Sequence, residues 1–486
     1  MKYKSTVTIT VFKVLFLIIA IVGLSFFIPV LTALYCHEYS VLPSFLIPMG
    51  ISFFIGLLFL GIKHKQKAKL SVRASFVVVA VAWIGACLFG AIPFYASGAI
   101  PSITDAVFES VSGFTTTGAT ILSEIENLPR SINMWRCLTH WLGGMGIVAL
   151  TVALLPILGI GGFQLIKAET TGPEKGKFTP RITTTAKILW FMYLGMTLAE
   201  TLLLRIAGMD FIDALSHAFS TLGTGGFSTR NASIAAYNSA AIDVICFTFM
   251  FLSGINFSLY FYVFARQFSE LKNNSELKGY FGINAVAILL LTIFEYGQYG
   301  SLFKTLRYTS FQVATILSTT GFATCDFTLW SPASQAVIFA LFFIGGSSGS
   351  TAGGIKVVRW IIFYKILKIE VQKLIHPHGI FSLRLNQQAA RKEIIPSVTA
   401  FFCLYFFLLI FTTFFGSIFG MDILTSFTGS ASMIGNIGPG FNLLGPACNY
   451  GWIASPVKWL YCFTMIAGRL ELFTLIIFLA PSFWKK

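Results

Sequence analysis

Residues 104–120 read TDAVFESVSGFTTTGAT, a short, moderately apolar stretch that ends at a glycine-rich turn, and this pattern occurs four times in the chain. Aligned on their glycines, the four copies lie 108, 95 and 117 residues apart. A Thr stands two residues before the glycine in three copies, and an Asn in the fourth. Such self-similarity predicts one structural unit used four times. The other copies are IDALSHAFSTLGTGGFS (212–228), TSFQVATILSTTGFAT (309–324) and LTSFTGSASMIGNIGPG (424–440).

The composition places these units in a membrane. Of the 486 residues, 56% are hydrophobic and only 11% are charged, too few charges for a soluble domain of this length. The net charge of +15 comes from short basic clusters between apolar stretches, a pattern typical of cytoplasmic loops and not of a nucleic-acid-binding face. Threading the chain from a cytoplasmic N-terminus assigns most basic residues to inner connections and places both termini inside. Ten stretches are long enough to span a bilayer: 10–35, 42–62, 74–98, 134–158, 182–207, 237–266, 279–300, 333–373, 394–418 and 455–481.

After the first two spans, long and short outer connections alternate, and each long one contains a copy of the motif. A segment too short to span, followed by a glycine-rich turn, predicts a re-entrant half-helix and an extended loop. Such backbone is tolerated at membrane depth only where it lines a cavity or is buried in protein. We therefore predict an all-α polytopic membrane protein with four membrane–pore–membrane repeats around one pore. The predicted divisions are 1–69 for two N-terminal helices, and 70–166, 167–274, 275–376 and 377–486 for the four repeats.

Four such loops around one axis suit a potassium ion. A ring of backbone carbonyls can replace the water shell of K⁺, and Gly permits the backbone angles that this arrangement needs. The preceding Thr or Asn can hold the loop, and the C-terminal end of the half-helix favours a cation. Four chance glycine turns that cap short helices are the alternative. The predicted K⁺-binding selectivity filter comprises Thr116, Thr117, Gly118, Thr224, Gly225, Gly226, Thr319, Thr320, Gly321, Asn436, Ile437 and Gly438.

These four motifs, the paired spans around them and the two spans before them resemble the Trk/Ktr/HKT superfamily of potassium transporters, and most closely its TrkH-type membrane subunits. The resemblance covers essentially the whole chain and implies pseudo-fourfold symmetry, uptake of K⁺ and also of Rb⁺, and a bacterial cytoplasmic (inner) membrane. It also implies a homodimer in membrane lipid, bound to a TrkA-type cytoplasmic nucleotide-binding ring, with no cofactor in this chain beyond the transported K⁺. Coupling to H⁺ or Na⁺ is left open.

The predicted span 333–373 is too long and too rich in glycine for one helix. Each Gly in a helix costs about 1 kcal/mol relative to Ala, so we expect this span to break and enter the pore. A flexible cytoplasmic linker is the alternative. In the family that the chain resembles, this intramembrane loop lies below the filter and acts as the gate. The predicted gating loop comprises Gly345, Gly346, Ser347, Ser348, Gly349, Ser350, Thr351, Ala352, Gly353 and Gly354.

Arg469 lies inside the last predicted span. An unpaired charge facing lipid is costly, so Arg469 is expected to face a partner or a wet cavity. A pair with Glu471 is disfavoured because residues two apart project from different sides of a helix. The resemblance places Arg469 in the pore beneath the filter, where its charge would raise the barrier to cations. Our hypothesis is that Arg469 and the gating loop together restrain conduction.

Other functions and other polar residues receive simpler interpretations. An intramembrane hydrolase would need a nucleophile, a base or a metal cluster, and no HExxH or GxSxG motif occurs in a suitable context, so we predict that the chain is not an enzyme. A carrier of organic solutes would need two inverted halves, whereas this chain has four repeats in one direction. We expect Asp105 and Asp213 to cap pore helices, Glu200 and Arg205 to pair loosely, and His140 and His217 to be packed residues.

Overall fold

The computed structural model describes residues 2–61, 72–146, 182–379, 381–386, 388–389 and 394–484. The regular structure in these ranges is helical apart from one antiparallel hairpin of β1 (Arg384–Leu385) and β2 (Gln388–Ala389). Six helices in the described part are long and apolar enough to cross a membrane, and two bent helix pairs raise the number of candidate spans to as many as eight. Ten spans were predicted from the sequence, against these six to eight in the described part, so the count of ten stays a prediction.

Grouped by the divisions predicted from the sequence, the helices fall into an N-terminal set and four further units. The N-terminal set consists of α1 (Lys2–Ser25), α2 (Phe27–Tyr35) and α3 (Leu42–Gly61). The first unit contains α4 (Val72–Gly90), α5 (Ile92–Ala96), α6 (Ile103–Phe114) and α7 (Arg130–Gly144), and the second contains α8 (Ile182–Ile206), α9 (Phe211–Gly223), α10 (Ala240–Ser253), α11 (Phe257–Phe264) and α12 (Phe268–Asn273). The third contains α13 (Ser275–Tyr299), α14 (Leu302–Leu317), α15 (Pro332–Leu341) and α16 (Val357–Ile375), and the fourth contains α17 (Ile394–Ile418), α18 (Ile423–Gly435), α19 (Ser455–Arg469), α20 (Phe473–Ile476) and α21 (Pro481–Trp484).

The four short helices that precede the glycine turns, α6, α9, α14 and α18, are the predicted pore helices. Three of them begin at a side-chain cap, which is Ser102, Asp210 or Asp422. Asp105 and Asp213 lie three residues after the cap, in the first helical turn, so the prediction that they are the capping residues is wrong. The capping residues lie three positions before these aspartates, because a short polar side chain at the helix start already accepts from a free backbone N–H group there.

Two spans that we predicted as continuous are broken. The axes of α10 and α11 differ by 94°, and those of α19 and α20 differ by 114°. The first break follows Gly254, and Asn256 caps the new helix by accepting from the N–H of Ser258. The second break passes through Glu471 and Leu472, both with φ 58°. The residues between the two helices, 470–472, include no glycine or proline, which explains why the sequence pattern did not predict this break.

The N-terminal set is attached to the first repeat through aromatic packing. The ring of Phe26, between α1 and α2, lies 4.7 Å from the ring of Trp135 in α7. The indole N–H of Trp135 donates to the carbonyl of Gly90 at 2.9 Å, which joins α7 to α4. The predicted span 134–158 extends beyond α7 into residues 147–158, which lie outside the described residues.

Candidate functional site

The four glycine turns share one backbone conformation. The residue two before each glycine has a left-handed φ, which is 55° at Thr116, Thr224 and Thr319 and 53° at Asn436. A positive φ is uncommon outside glycine, and four at equivalent positions indicate that the four turns are built alike. The glycines follow with φ 78° at Gly118, 78° at Gly226, 89° at Gly321 and 100° at Gly438. We call residues 116–118, 224–226, 319–321 and 436–438 the filter loops.

The filter loops form a closed ring. A Cβ added to each filter glycine would lie within 3 Å of the carbonyl oxygen that precedes the glycine of the next loop, a separation that real Cβ atoms do not tolerate. The order returns to its start, since the glycine of the fourth loop meets a carbonyl of the first. All four loops therefore surround one axis, and only glycine fits at these positions. The successive pairs are Gly118 with Gly225, Gly226 with Thr320, Gly321 with Ile437, and Gly438 with Thr117.

Each filter loop is fixed to the end of its own pore helix by an equivalent hydrogen bond. The N–H of the residue before the filter glycine donates to a carbonyl five residues earlier, in the last turns of the helix. The distances fall between 2.8 and 3.0 Å. These N–H groups are thus occupied within each repeat, and the carbonyls of the same residues lie against the neighbouring loop. The bonds run from Thr117 to Ser112, from Gly225 to Ser220, from Thr320 to Thr315 and from Ile437 to Ser432.

A cavity of about 110 Å³ adjoins the ring. All four filter glycines line it, together with residues of the predicted outer connections such as Leu122, Asn231 and Cys448. The cavity therefore lies on the predicted outer side, where an ion would approach the ring. Its lining combines polar residues such as Ser123 and Asn231 with apolar ones such as Leu122 and Phe227.

The fourth filter loop has its own supports in place of the missing Thr. The amide nitrogen of Asn436 donates to the hydroxyl of Thr117 at 2.9 Å and to the carbonyl of Met465 at 2.9 Å. The hydroxyl of Tyr450 donates to the carbonyl of Gly438 at 2.7 Å. Asn436 was among the predicted filter residues, whereas Tyr450 was missed because it lies outside the repeated motif.

A fully buried ion pair stands behind the first two filter loops. The Nε of Arg136 lies 2.8 Å from the Oε1 of Glu109, and both side chains have no exposed surface. Glu109 also accepts from the N–H of Ile121 at 3.0 Å, just after the first loop. Arg136 also donates to the carbonyl of Ser228 at 3.2 Å, just after the second loop. The pair thus joins two repeats, and sequence reasoning missed it although Glu109 lies inside the motif.

The predicted outer connections hold further ion pairs. Lys458 lies 2.6 Å from Asp105, and Arg230 lies 3.0 Å from Asp213. Burial raises the pKa of Asp213, but the hydrogen bond from Tyr237 and the charge of Arg230 outweigh it and lower the pKa below its ordinary value. Both carboxylates therefore act as partners in ion pairs, which partly neutralise their negative charge.

The two isolated histidines are packed residues. The Nδ1 of His140 lies 2.7 Å from the carbonyl of Gly113, and its Nε2 accepts from the N–H of Phe227 at 3.1 Å. His217 contacts the carbonyl of Asp213 and the hydroxyl of Ser228. Among the described residues, no group of three His, Cys, Asp or Glu side chains could hold a metal ion. These histidines therefore link pore helices to filter loops.

The loose pair expected between Glu200 and Arg205 is wrong. Arg205 instead donates to the carbonyl of Met209 at 3.0 Å. Glu200 is fully buried, and in the part of the chain that the structure describes its carboxyl oxygens have no hydrogen-bond partner. The two side chains share α8 but project to different surroundings.

The predicted gating loop, residues 345–354, is non-helical and lies between α15 and α16. The N–H of Gly353 donates to the hydroxyl of Thr319 in the third filter loop at 2.6 Å. A Cβ on Gly353 would collide with the carbonyl of Gly435, at the end of the fourth pore helix. The gating loop therefore packs directly against the ring, which excludes the alternative of a detached linker.

Arg469 reaches the same region from the end of α19. Its guanidinium donates to the carbonyl of Thr351 in the gating loop at 2.7 Å, and to those of Gly143 and Gly144, at the end of α7, at 2.7 and 2.9 Å. Glu471 does not pair with Arg469 but with Arg359 of α16. Arg469 thus joins the first, third and fourth repeats beside the gating loop, as expected of a residue with partners inside the protein.

A sequence profile of the TrkH family, described as cation transport protein, matches residues 43–486. The chain belongs to the TrkH family. The Trk system potassium uptake protein TrkH of Halomonas elongata is 38% identical over 489 residues, covering 98% of this chain and 99% of that protein. TrkH of Escherichia coli K12 is 37% identical over 428 residues, covering 87% of this chain and 88% of that protein.

The chain is also similar to a solved TrkH structure. The crystal structure of the potassium transporter TrkH from Vibrio parahaemolyticus superposes with a TM-score of 0.84 at 33% identity, covering 98% of this chain and 100% of that one. This likeness and the apolar helices confirm the predicted all-α membrane fold. TrkH family members are transporters, so the prediction that the chain is not an enzyme is also confirmed.

Proposed function

We propose that this TrkH family member takes up K⁺ through a selective, gated pore as the membrane-embedded subunit of a Trk-type system. The observation that carries the proposal is the closed ring of four filter loops with equivalent backbone angles. A ring of carbonyls can substitute for the hydration shell of K⁺, and the same loops would also accept Rb⁺. The relatives named above, which are potassium uptake proteins, support the choice of ion.

The arrangement suits a cation in its electrostatics as well as in its shape. The four pore helices end at the filter loops, and the C-terminal end of a helix carries a partial negative charge. The membrane potential supplies about 2.3 kcal/mol per charge for each 100 mV, which suffices to drive uptake into a negative interior. We propose downhill flux and leave H⁺ or Na⁺ coupling aside, because no described carboxylate lines the ring.

The gate in this proposal consists of the gating loop and Arg469. The loop lies against the third filter loop, and Arg469 holds it from the neighbouring fourth repeat. A guanidinium there repels an entering cation, while its bonds to carbonyls keep the loop in place. Conduction would then require the loop to move away from Arg469 and the ring.

The proposed setting is the bacterial cytoplasmic membrane, with both termini inside and the protein as a homodimer. A TrkA-type nucleotide-binding ring would bind the inner connections. We propose the long inner connections 159–181, 267–278 and 374–393 for this contact; 267–278 and most of 374–393 are described, whereas 159–181 lies outside the described residues. Basic residues in and beside these connections, among them Arg384 and, in α16, Lys365, suit either an acidic partner surface or anionic lipid headgroups.

The proposal is tested by tracer uptake of ⁸⁶Rb⁺ into proteoliposomes that contain the purified protein and are loaded with K⁺. We expect uptake that external K⁺ blocks and that Na⁺ and choline do not. Liposomes without protein are the control, and a second set contains the nucleotide-binding partner with nucleotide. Equal competition by Na⁺, or no uptake even with the partner present, would overturn the proposed potassium filter.

A further inference from the structure

Glu276 binds the first half of the gating loop and the start of the helix that follows the loop. It lies in the first turn of α13 and is only 6% exposed. Its Oε1 accepts from the N–H of Ser348 at 2.7 Å and from the hydroxyl of the same residue at 3.1 Å. It also accepts from the N–H of Val358 at 3.1 Å. One carboxylate oxygen thus joins the start of the loop to the first turn of the helix that follows it.

The ends of the loop are also paired with each other. The N–H of Gly345 donates to the carbonyl of Ile355 at 2.9 Å, and the N–H of Val357 donates to the carbonyl of Gly346 at 3.2 Å. These two bonds close the base of the loop, and Glu276 bridges the same two strands of backbone from outside. Opening the base therefore requires that the carboxylate release Ser348, Val358 or both.

The carboxylate is held at a fixed place. Asn274 caps α13 by accepting from the N–H of Leu277 at 2.8 Å. The N–H of Ser275 donates to the side-chain oxygen of Asn386, next to the β1–β2 hairpin, at 2.8 Å. The backbone on both sides of Glu276 is thus bonded to groups outside the gating loop. Glu276 is therefore an anchor of the entering span, separate from the loop that it holds.

We propose that Glu276 is a positioning residue that keeps the gating loop closed across the pore, an inference that rests on the gated pore proposed above. Arg469 holds the loop through the carbonyl of Thr351. Glu276 instead accepts from the N–H of Ser348, in the first half of the loop, and from that of Val358, in the helix that follows the loop. Arg469 is a hydrogen-bond donor and Glu276 is an acceptor, and they contact different parts of the backbone, so they restrain different movements of the loop. An ionised carboxylate forms hydrogen bonds roughly twice as strong as those of a neutral acceptor, so removing its charge weakens the closed base.

The first test measures K⁺-blocked ⁸⁶Rb⁺ flux in Glu276→Gln, which keeps the size of the side chain and removes its charge. We expect flux to rise on the order of tenfold over the wild type, with unchanged discrimination against Na⁺, because the filter loops are not altered. Glu370→Gln is the matched control, since that glutamate is 59% exposed and pairs only with Lys373 among the described contacts, and its flux should equal that of the wild type. If Glu276→Gln does not fold, Glu276→Asp, whose shorter side chain cannot reach both N–H groups, should show the same rise.

The second test reports on the loop without relying on flux. Ser347 is 1% exposed and its hydroxyl has no hydrogen-bond partner in the described part, so Ser347→Cys introduces a buried thiol without removing a bond. In a background in which the eight native cysteines are replaced, this thiol should react slowly with a maleimide and several times faster when Glu276→Gln is added.

The two readouts separate the inference from the proposed function. Faster labelling together with higher flux supports both. Faster labelling without flux in any variant supports the role of Glu276 and counts against the proposed pore. Unchanged labelling and unchanged flux in a variant that elutes and melts like the wild type would overturn the inference.

Discussion

Arg136→Met should destabilise the protein strongly, because it breaks a fully buried ion pair. The substitution leaves the carboxylate of Glu109 buried without its charged partner and removes the bond to the carbonyl of Ser228. Removing one partner of a buried pair typically costs about 3–5 kcal/mol. The guanidinium also lies 4.3 Å from the ring centre of Phe227, so a further favourable contact is lost. We expect the free energy of unfolding to fall by roughly 3–5 kcal/mol.

The assay is unfolding in mixed detergent micelles, with SDS added to a mild detergent and folding followed by fluorescence. Arg130→Met is the matched control, since Arg130 pairs with Asp210 at the surface, where their side chains are 42% and 50% exposed. Arg130 also lies 3.5 Å from Asp213, but that carboxylate keeps Arg230 as a partner at 3.0 Å when Arg130 is replaced. An exposed pair contributes about 0–1 kcal/mol, so this variant should unfold almost like the wild type. The comparison isolates the effect of burial from that of losing an arginine.

A double variant, Arg136→Met with Glu109→Leu, completes the test. It removes the unpaired charge but leaves the N–H of Ile121 without an acceptor, which costs about 1–3 kcal/mol. The double variant should therefore be more stable than Arg136→Met alone. A loss below about 1 kcal/mol in Arg136→Met, or a double variant no more stable than Arg136→Met alone, would refute the reasoning, because neither fits a coupled buried pair.

Substitutions at three further sites, Gly118, Tyr450 and Arg469, test the filter and the gate by the ⁸⁶Rb⁺ assay. Gly118→Ser should make uptake sensitive to Na⁺, because no Cβ fits against the next filter loop, whereas Gly98→Ser, with φ 74° but nothing within 4 Å, should keep its selectivity. Tyr450→Phe should weaken discrimination between K⁺ and Na⁺ a few fold, since it releases a filter carbonyl, a net effect of about 1 kcal/mol. Tyr405→Phe, which removes a buried hydroxyl without a partner in the described part, is its control and should behave as the wild type. Arg469→Ala should raise flux, Arg469→Lys should keep part of the restraint, and equal flux in all three forms would contradict the barrier.

The sequence predicted what is local and repeated. The glycines and the residues two positions before them define a backbone conformation within a few residues, and repetition revealed it four times. Gly345 to Gly354 likewise form a local signal, because so many glycines cannot remain helical in lipid. The span 394–418 was predicted to the residue, because an apolar run of that length matches the thickness of the bilayer as a single helix.

What escaped prediction depends on partners far away in the chain. Glu109 and Arg136 are 27 positions apart, and Glu276 and Ser348 are 72 apart, so no spacing rule connects them. The break after Arg469 contains Leu470, a residue with no turn preference, and is supported by the pairing of Glu471 with Arg359. A sequence shows that a charge in a span needs a partner, but the fold decides which one it finds.

The helix ends in the second spans of the repeats are stabilised by groups from other repeats. Each helix that stops within the membrane leaves carbonyls without partners, which is tolerable only if other groups bind them. The carbonyl of Gly254, at the end of α10, accepts from the N–H of Ser347, and those of Gly143 and Gly144, at the end of α7, accept from Arg469. Groups from the third and fourth repeats therefore satisfy the helix ends of the first two. Moving the gating loop must expose some of these carbonyls, so opening requires water to replace the protein donors. A wet pore and an open loop would then be one state.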